Sequence, residues 1–308
     1  MHIPDNFLSP PVWASLDVIA LPAFGLAARA ARSTLEEGRV PLLGVMGAFI
    51  FAAQMINFPV GIGTSGHLVG GALLAFTVGP ACAAVVMTAI LAVQAFVFQD
   101  GGILALGANV CNMALAGVLA GYLPYYLFGR GRFRRSSMFA GAFLSVLVSA
   151  GMALTELFMS GVRMPRSMLI LSIALFVVSA AIEGAITVAV MRVIEKLNPG
   201  WVREPALSNR RTVAVFASAA ACLAGAGFLL ASTAPDGLQS LGQQLGIHAS
   251  ALLHAPMSDY DLPFLSSPWA RRAAAGLTGL LLIYGACLSA GRLFTARAPR
   301  ETALSRGS

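Results

Sequence analysis

The chain has 308 residues, of which 57% are hydrophobic and only 11% are charged, and its mean hydropathy is +0.79. A soluble domain carries roughly 25% charged residues, so this composition excludes a water-soluble globular protein. The net charge of +7 does not indicate nucleic-acid binding, because the cations cluster between apolar runs, as in membrane proteins. We therefore expect an all-α, polytopic membrane protein.

The chain begins with MHIPDNFLSP, which lacks the basic start and apolar run of a secretory signal. After it, the apolar segments predict about nine transmembrane helices, most of them near the ~20 residues that cross a bilayer. The third is short, and only Gly79 and Pro80 divide it from the fourth. The predicted spans lie near 12–31, 41–57, 67–80, 81–98, 105–128, 138–159, 167–192, 212–231 and 273–294.

The distribution of cations predicts the orientation in the cell membrane. With an external N-terminus, most of the 20 Lys and Arg residues fall in or beside four cytoplasmic segments, as the positive-inside rule requires. An odd number of spans then places the C-terminus in the cytoplasm. The cytoplasmic segments are 32–40, 129–137, 193–211 and the tail from 295. The cations left outside are Arg163, Arg166, Arg271 and Arg272.

A polar stretch divides the chain into two membrane parts. Residues 1–195 hold seven closely spaced spans, and 196–211 read as a cytoplasmic linker with prolines and basic residues. Residues 212–295 hold two spans around a long external loop, in which turn formers surround an expected short helix at 237–246. Residues 296–308 form a predicted cytoplasmic tail.

Catalytic motifs are not found. The single lysine, Lys196, does not end a GxxxxGK[ST] loop, so we do not expect this polypeptide to bind ATP through a P-loop. The sequence also has no HExxH zinc motif and no GxSxG nucleophile elbow. We expect a protein that is not an enzyme, with no catalytic residues and no organic cofactor.

His67 is the first candidate for a functional site. It follows a glycine-rich loop in NFPVGIGTSGHLVGGALLA, which cannot be a membrane helix. A broken backbone at membrane depth is tolerated where it is buried in protein or lines a cavity, and an ionisable residue beside such a break is a candidate site. A helix cap at the interface is the alternative role. His248 and His254 lie in the external loop, where solvated or turn-packing roles are favoured.

His2 strengthens the case for His67, because the predicted topology places both on the same side. The α-amine of Met1, the amide nitrogen of His2 and its imidazole can close two fused chelate rings around one metal ion. His67 can supply the fourth corner. An all-nitrogen, square-planar set suits Ni(II) or Cu(II), and Co(II) also accepts nitrogen ligands. We expect the initiator methionine to be kept, because histidine at position two is large.

Three separated motifs resemble one family. MHIPDNFLSP, GTSGHLVGGALLAFTVGP and VVMTAILAVQAFVFQDGGILALGANVCNMALAG are similar to the substrate-binding component of cobalt and nickel energy-coupling-factor transporters, the CbiM/NikM family. The resemblance covers roughly residues 1–195. The segments PDGLQSLGQQLG and DYDLP resemble the small partner subunit NikN/CbiN, so the chain looks like a fusion of the two.

The resemblance implies a ligand set and partners. It implies Ni(II) or Co(II) as transported substrate, bound by Met1, His2 and His67. It also implies a coupling subunit of the CbiQ/NikQ type and cytoplasmic ABC ATPases of the CbiO/NikO type. The chain departs from the family at Asn6, where many relatives have glycine. The PDGL segment is then expected near the entrance, where it would assist loading.

Further polar residues are candidates for supporting the site. They would orient an imidazole or cap the site, although turn and helix-cap roles explain them equally well. These residues are Thr64, Ser65, Gln99, Asp100 and Asn109. Glu156 and Glu183 lie inside predicted spans and are expected to form interhelical hydrogen bonds rather than a proton pathway.

Two other functions remain open at this point. A stand-alone secondary metal permease would need an ion gradient and no ATPase, and a vitamin-binding component of the same architecture would not need a free N-terminus. Blocking the terminus separates the vitamin alternative from metal capture. The residues do not distinguish nickel from cobalt, although an all-nitrogen square-planar set leans toward nickel.

Overall fold

The computed structural model describes residues 1–61, 63–198, 209–249 and 253–296. It is an all-α polytopic membrane architecture with one small β-hairpin. Within these ranges, seven helices are long and apolar enough to span a bilayer. The fold class predicted from composition is confirmed.

The first part of the chain contains most of the helices and the hairpin. A π-helical turn, Gln94–Phe98, extends the fourth helix, and a π-helical segment, Val110–Gly117, joins the fifth to the sixth. The elements are α1 (Pro10–Thr34), α2 (Val40–Gln54), β1 (Asn57–Gly61), β2 (Thr64–His67), α3 (Gly71–Val78), α4 (Pro80–Val93), α5 (Leu106–Asn109), α6 (Val118–Phe128), α7 (Arg134–Met159) and α8 (Arg166–Leu197).

The second and third predicted spans differ from the structure. The helix α2 has 15 residues and α3 has only eight, so both are shorter than the ~20 residues that cross a bilayer. The chain between them forms an antiparallel hairpin in which Asn57 pairs with His67 and Phe58 with Gly66. The start of the predicted third span, at His67, is therefore the end of a strand, because the hairpin satisfies the main-chain groups there.

The buried start of α3 is held by a carboxylate from α8. Glu183 accepts hydrogen bonds from the main-chain nitrogens of Val69 (2.8 Å) and Gly70 (2.7 Å). Gly70 has a φ of 78°, a left-handed conformation that glycine adopts without a steric penalty. Glu183 thus fixes the segment directly after His67. Glu156 forms the expected interhelical hydrogen bond, accepting from the Asn112 side chain at 2.8 Å.

The second part of the chain contains α9 (Arg210–Ala226), α10 (Gly237–Gln244) and α11 (Pro268–Ala296). The long helices α9 and α11 pack on α2. The approach is close at Gly47, where an added Cβ would lie 2.9 Å from the Cys287 sulfur. The two parts therefore share a helix interface. The short helix expected at 237–246 is confirmed by α10.

Parts of two sequence predictions lie outside the described residues. They are residues 199–208 of the predicted linker at 196–211 and residues 297–308 of the predicted tail at 296–308.

Candidate metal site

The N-terminal segment is folded into the protein. Ile3 is fully buried, and its main-chain nitrogen and oxygen form a pair of hydrogen bonds with the Asn109 side chain, at 2.8 and 3.1 Å. The Asp5 carboxylate accepts from the main-chain nitrogens of Ile103 (3.1 Å) and Leu104 (2.8 Å). These contacts of Ile3 and Asp5 fix the chain directly after Met1 and His2 and therefore position those two residues.

Gly102 allows the N-terminal segment to approach this loop. Its nitrogen donates to the Ile3 carbonyl at 2.8 Å, and an added Cβ would lie 2.5 Å from the Asp5 nitrogen. Asn6 has a φ of 72°, a left-handed conformation that Asn adopts more readily than most residues. This geometry gives the physical reason why asparagine can replace the glycine that the resemblance leads one to expect there.

His67 presents one ring nitrogen to the terminal amine. Its Nδ1 lies 3.0 Å from the Leu68 carbonyl oxygen, which can only accept, so Nδ1 carries the proton and Nε2 has a free lone pair. Nε2 contacts the Met1 amine. Burial, together with the nearby ammonium, lowers the pKa of His67 to about 3. The imidazole is therefore neutral at physiological pH, the form that binds metals.

The imidazole of His2 stacks on that of His67, with ring centroids 5.0 Å apart and planes inclined by 7°. The His2 side chain is buried, and neither ring nitrogen has a hydrogen-bond partner among the described residues. Its Nδ1 lies 3.2 Å from Asp100 Oδ1, within ion-pair range. Buried polar groups are normally hydrogen-bonded. A buried imidazole whose Nε2 has no partner and whose Nδ1 faces only a carboxylate among the described residues suits a site that binds a cation.

Asp100 is held by the second part of the chain. The Tyr260 hydroxyl donates to Asp100 Oδ2 at 2.7 Å, and the Tyr260 ring stacks on Phe98 with centroids 4.6 Å apart. Burial opposes ionisation, but the His2 imidazole and the Tyr260 hydrogen bond outweigh it and hold the pKa of Asp100 below its ordinary value. Asp100 therefore lies beside His2 as a carboxylate.

Asp236 is a site residue that the sequence reasoning missed. Its Oδ2 accepts from the Met1 ammonium at 2.8 Å, and its Oδ1 accepts from the Gln239 nitrogen at 2.8 Å as the N-cap of α10. Burial opposes its ionisation, but the ammonium outweighs it and lowers the pKa of Asp236. The PDGL segment of the sequence contains Asp236, but the sequence alone does not show that its partner is the Met1 amine.

A cavity of about 370 Å³ opens onto these groups. His67, Asp100 and Asp236 line it together with Tyr260 and Arg272. Its walls come from both parts of the chain, so the loop between α9 and α11 encloses space directly beside His67.

The other predicted supporting residues have different contacts. Asn109 positions Ile3, as described above. Thr64 Oγ1 lies 3.2 Å from Ser240 Oγ, and Ser65 Oγ donates to the Ala234 carbonyl at 2.7 Å. Gln99 accepts from the Ser258 hydroxyl at 3.0 Å. Thr64, Ser65 and Gln99 thus connect the first part to the segment between α9 and α11. Asp100 is the member of the predicted set that lies beside an imidazole.

The two histidines of the loop between α10 and α11 are not part of this cluster. His248 and His254 are both exposed, and the His248 carbonyl accepts from the Asn6 side chain at 3.1 Å. Within the described ranges, no group of three or more His, Cys, Asp or Glu side chains is arranged to hold a metal ion.

The structure is thus a helical membrane protein in which two imidazoles and the terminal amine lie close together. The chain belongs to the CbiM family, described as the cobalt uptake substrate-specific transmembrane region, whose model matches residues 2–201. It is a transmembrane component of nickel or cobalt transport.

Relatives and a solved structure agree with this family. The chain is 32% identical to a putative fused nickel transport protein NikMN of Archaeoglobus fulgidus, covering 92% of this chain and 95% of the relative. It is 32% identical to a cobalt transport protein CbiM of Thermosipho melanesiensis, covering 67% and 92%. A crystal structure of a transition metal transporter superposes with a TM-score of 0.57 at 29% identity, covering 65% of this chain and 94% of the other.

Proposed function

We propose that the chain is the substrate-binding component of an energy-coupling-factor importer and captures Ni(II) or Co(II) at its N-terminus. The ligands are the Met1 amine, the His2 amide nitrogen and imidazole, and His67 Nε2. The observation that carries this assignment is the contact between the Met1 amine and His67 Nε2 beside the open nitrogens of His2.

The charges around the site support exchange of a divalent ion for protons. Before binding, the Met1 ammonium is paired with Asp236, His2 faces Asp100, and His67 is neutral. Metal ligation removes one proton from the ammonium and one from the His2 amide, because ligands bind in their deprotonated forms. When both imidazoles are neutral before binding, adding two positive charges and releasing these two protons leaves the net charge of the buried site unchanged. Such an exchange avoids the large cost of burying uncompensated charge.

The second part of the chain has a defined place in this proposal. Asp236 binds the Met1 amine, and Tyr260 binds Asp100, which lies beside the His2 imidazole. The segment between α9 and α11 therefore orients both the amine and the imidazole of the Met1–His2 dipeptide. The cavity that this segment encloses is the route by which ions reach the chelate. The family match to residues 2–201 supports a division into a metal-binding domain, 1–195, and a two-span domain, 212–295, with a loading role.

The proposed partners follow from the same assignment. A coupling subunit of the CbiQ/NikQ type and ABC ATPases of the CbiO/NikO type supply the energy of ATP hydrolysis. The N-terminus lies outside the cell membrane and the C-terminus lies in the cytoplasm. The positive-inside distribution of Arg and Lys supports this orientation.

Uptake of radioactive nickel by cells that produce the chain with these partners tests the proposal. Uptake is expected to fall to background when the ATPases carry a substitution that prevents ATP hydrolysis. It is expected to be retained when an ionophore collapses the proton gradient at maintained ATP. The reverse pattern would identify a secondary permease and contradict the proposed function.

A further inference from the structure

A cluster of basic residues lies where α7 begins and α8 ends, and none of them belongs to the candidate metal site. Arg135, Arg192 and Lys196 are all exposed there. The carboxylate that lines this surface with them, Glu195, is already paired with Arg134, with Nε and Oε1 2.9 Å apart. Within the described residues, the cluster therefore carries an excess of positive charge.

An apolar groove adjoins the basic cluster. Ala185 and Ala189, one helical turn apart on α8, leave a depression beside Phe139 of α7, with Val188 as a further wall. The groove has a volume of about 470 Å³, and Arg135 and Arg192 line it as well as the basic surface. The basic surface and the apolar groove therefore form one continuous surface along α7 and α8.

The site lies at a membrane boundary. Phe139, Ala185 and Ala189 belong to helices that are long and apolar enough to cross the bilayer, so the groove faces acyl chains. The basic cluster lies at the ends of the same helices, where headgroups are found. The positive-inside prediction assigns this end to the cytoplasm, whose leaflet is rich in anionic lipid.

We propose that this groove binds one anionic phospholipid, with its phosphate at Arg135, Arg192 and Lys196 and an acyl chain against Phe139 and the two alanines. Basic pockets between transmembrane helices on the cytoplasmic side recognise anionic headgroups. An acidic segment of a partner protein would match the charge but not the apolar wall at membrane depth. The lipid matches both.

Lipid-dependent stability of the purified full chain in detergent tests this proposal. Phosphatidylglycerol is expected to raise the unfolding temperature and to remain bound in native mass spectrometry, whereas phosphatidylcholine does neither. Each basic residue near an anionic headgroup strengthens binding by about fivefold. The double variant Arg135→Gln/Arg192→Gln is therefore expected to bind phosphatidylglycerol about thirtyfold more weakly.

The same helix pair provides a matched control. Arg163 and Arg166 are exposed at the opposite end of α7 and α8, so Arg163→Gln/Arg166→Gln removes the same charge and should retain phosphatidylglycerol binding. Ala189→Trp fills the groove without changing charge and should also weaken it. The proposal is overturned if Arg135→Gln/Arg192→Gln or Ala189→Trp binds phosphatidylglycerol as the wild type does, or if phosphatidylcholine binds equally well.

Discussion

Acetylation of the Met1 α-amine is expected to abolish tight binding of Ni(II) and Co(II). Acetylation converts the terminal amine into an amide and supplies no new amine, so it removes one ligand of the proposed set. The Met1 nitrogen is enclosed by His67 and Asp236, so the acetyl group also has to displace a buried ion pair. Loss of supporting contacts alone costs about 10–100-fold in metal affinity, so loss of a ligand should exceed about a hundredfold.

Isothermal titration of purified protein measures this effect. Lys196 is the single lysine of the chain, so a Lys196→Arg variant is acetylated at the terminus alone. The same variant without acetylation is the matched control and should bind as the wild type does. Equal affinities of the acetylated and unacetylated variants would show that the terminal amine is not a ligand.

Replacing His67 with alanine is expected to weaken binding by at least about a hundredfold, for the same reason. In the proposed site, His67 is the ligand that connects the metal to the rest of the protein, since the other three nitrogens belong to one dipeptide. Titration with Ni(II) measures the loss. Added imidazole should restore part of the affinity, because the cavity of about 370 Å³ leaves the vacated position accessible.

His254→Ala is the control for this substitution. It removes an exposed imidazole from the loop between α10 and α11 and should leave the affinity unchanged. If His67→Ala bound nickel as tightly as the control variant, the fourth nitrogen of the proposed set would have to come from elsewhere. Rescue by imidazole then distinguishes loss of a ligand from loss of the local fold.

Hydropathy predicted the membrane class because the apolar composition and length of a spanning segment are set by the bilayer and hardly at all by tertiary contacts. Its prediction of two full membrane spans in the region from α2 to α3 was wrong. Apolar sequence there continues through Leu68 and Val69, but those residues are buried by neighbouring helices and need no length matched to the bilayer. Glu183, 114 residues from Val69 in the chain, accepts main-chain hydrogen bonds there that a continuous helix would have made within itself.

The ligand candidates were recognisable locally, because the chelate of Met1 and His2 is a property of one dipeptide. Asp236 was not. Its contact with the Met1 amine joins residues 235 positions apart. An aspartate that caps α10 looks the same in the sequence whether or not it makes that contact. Tyr260, which holds Asp100, was missed for the same reason. Pairings between the two parts of the chain depend on how α9 and α11 pack on α2.

X-ray absorption at the nickel edge of the loaded wild-type protein identifies the atoms that bind the metal. We expect four nitrogen ligands in a square plane, with outer-shell scattering from two imidazole rings. A six-coordinate site of oxygen ligands, or one with sulfur from a cysteine or methionine side chain, would contradict it.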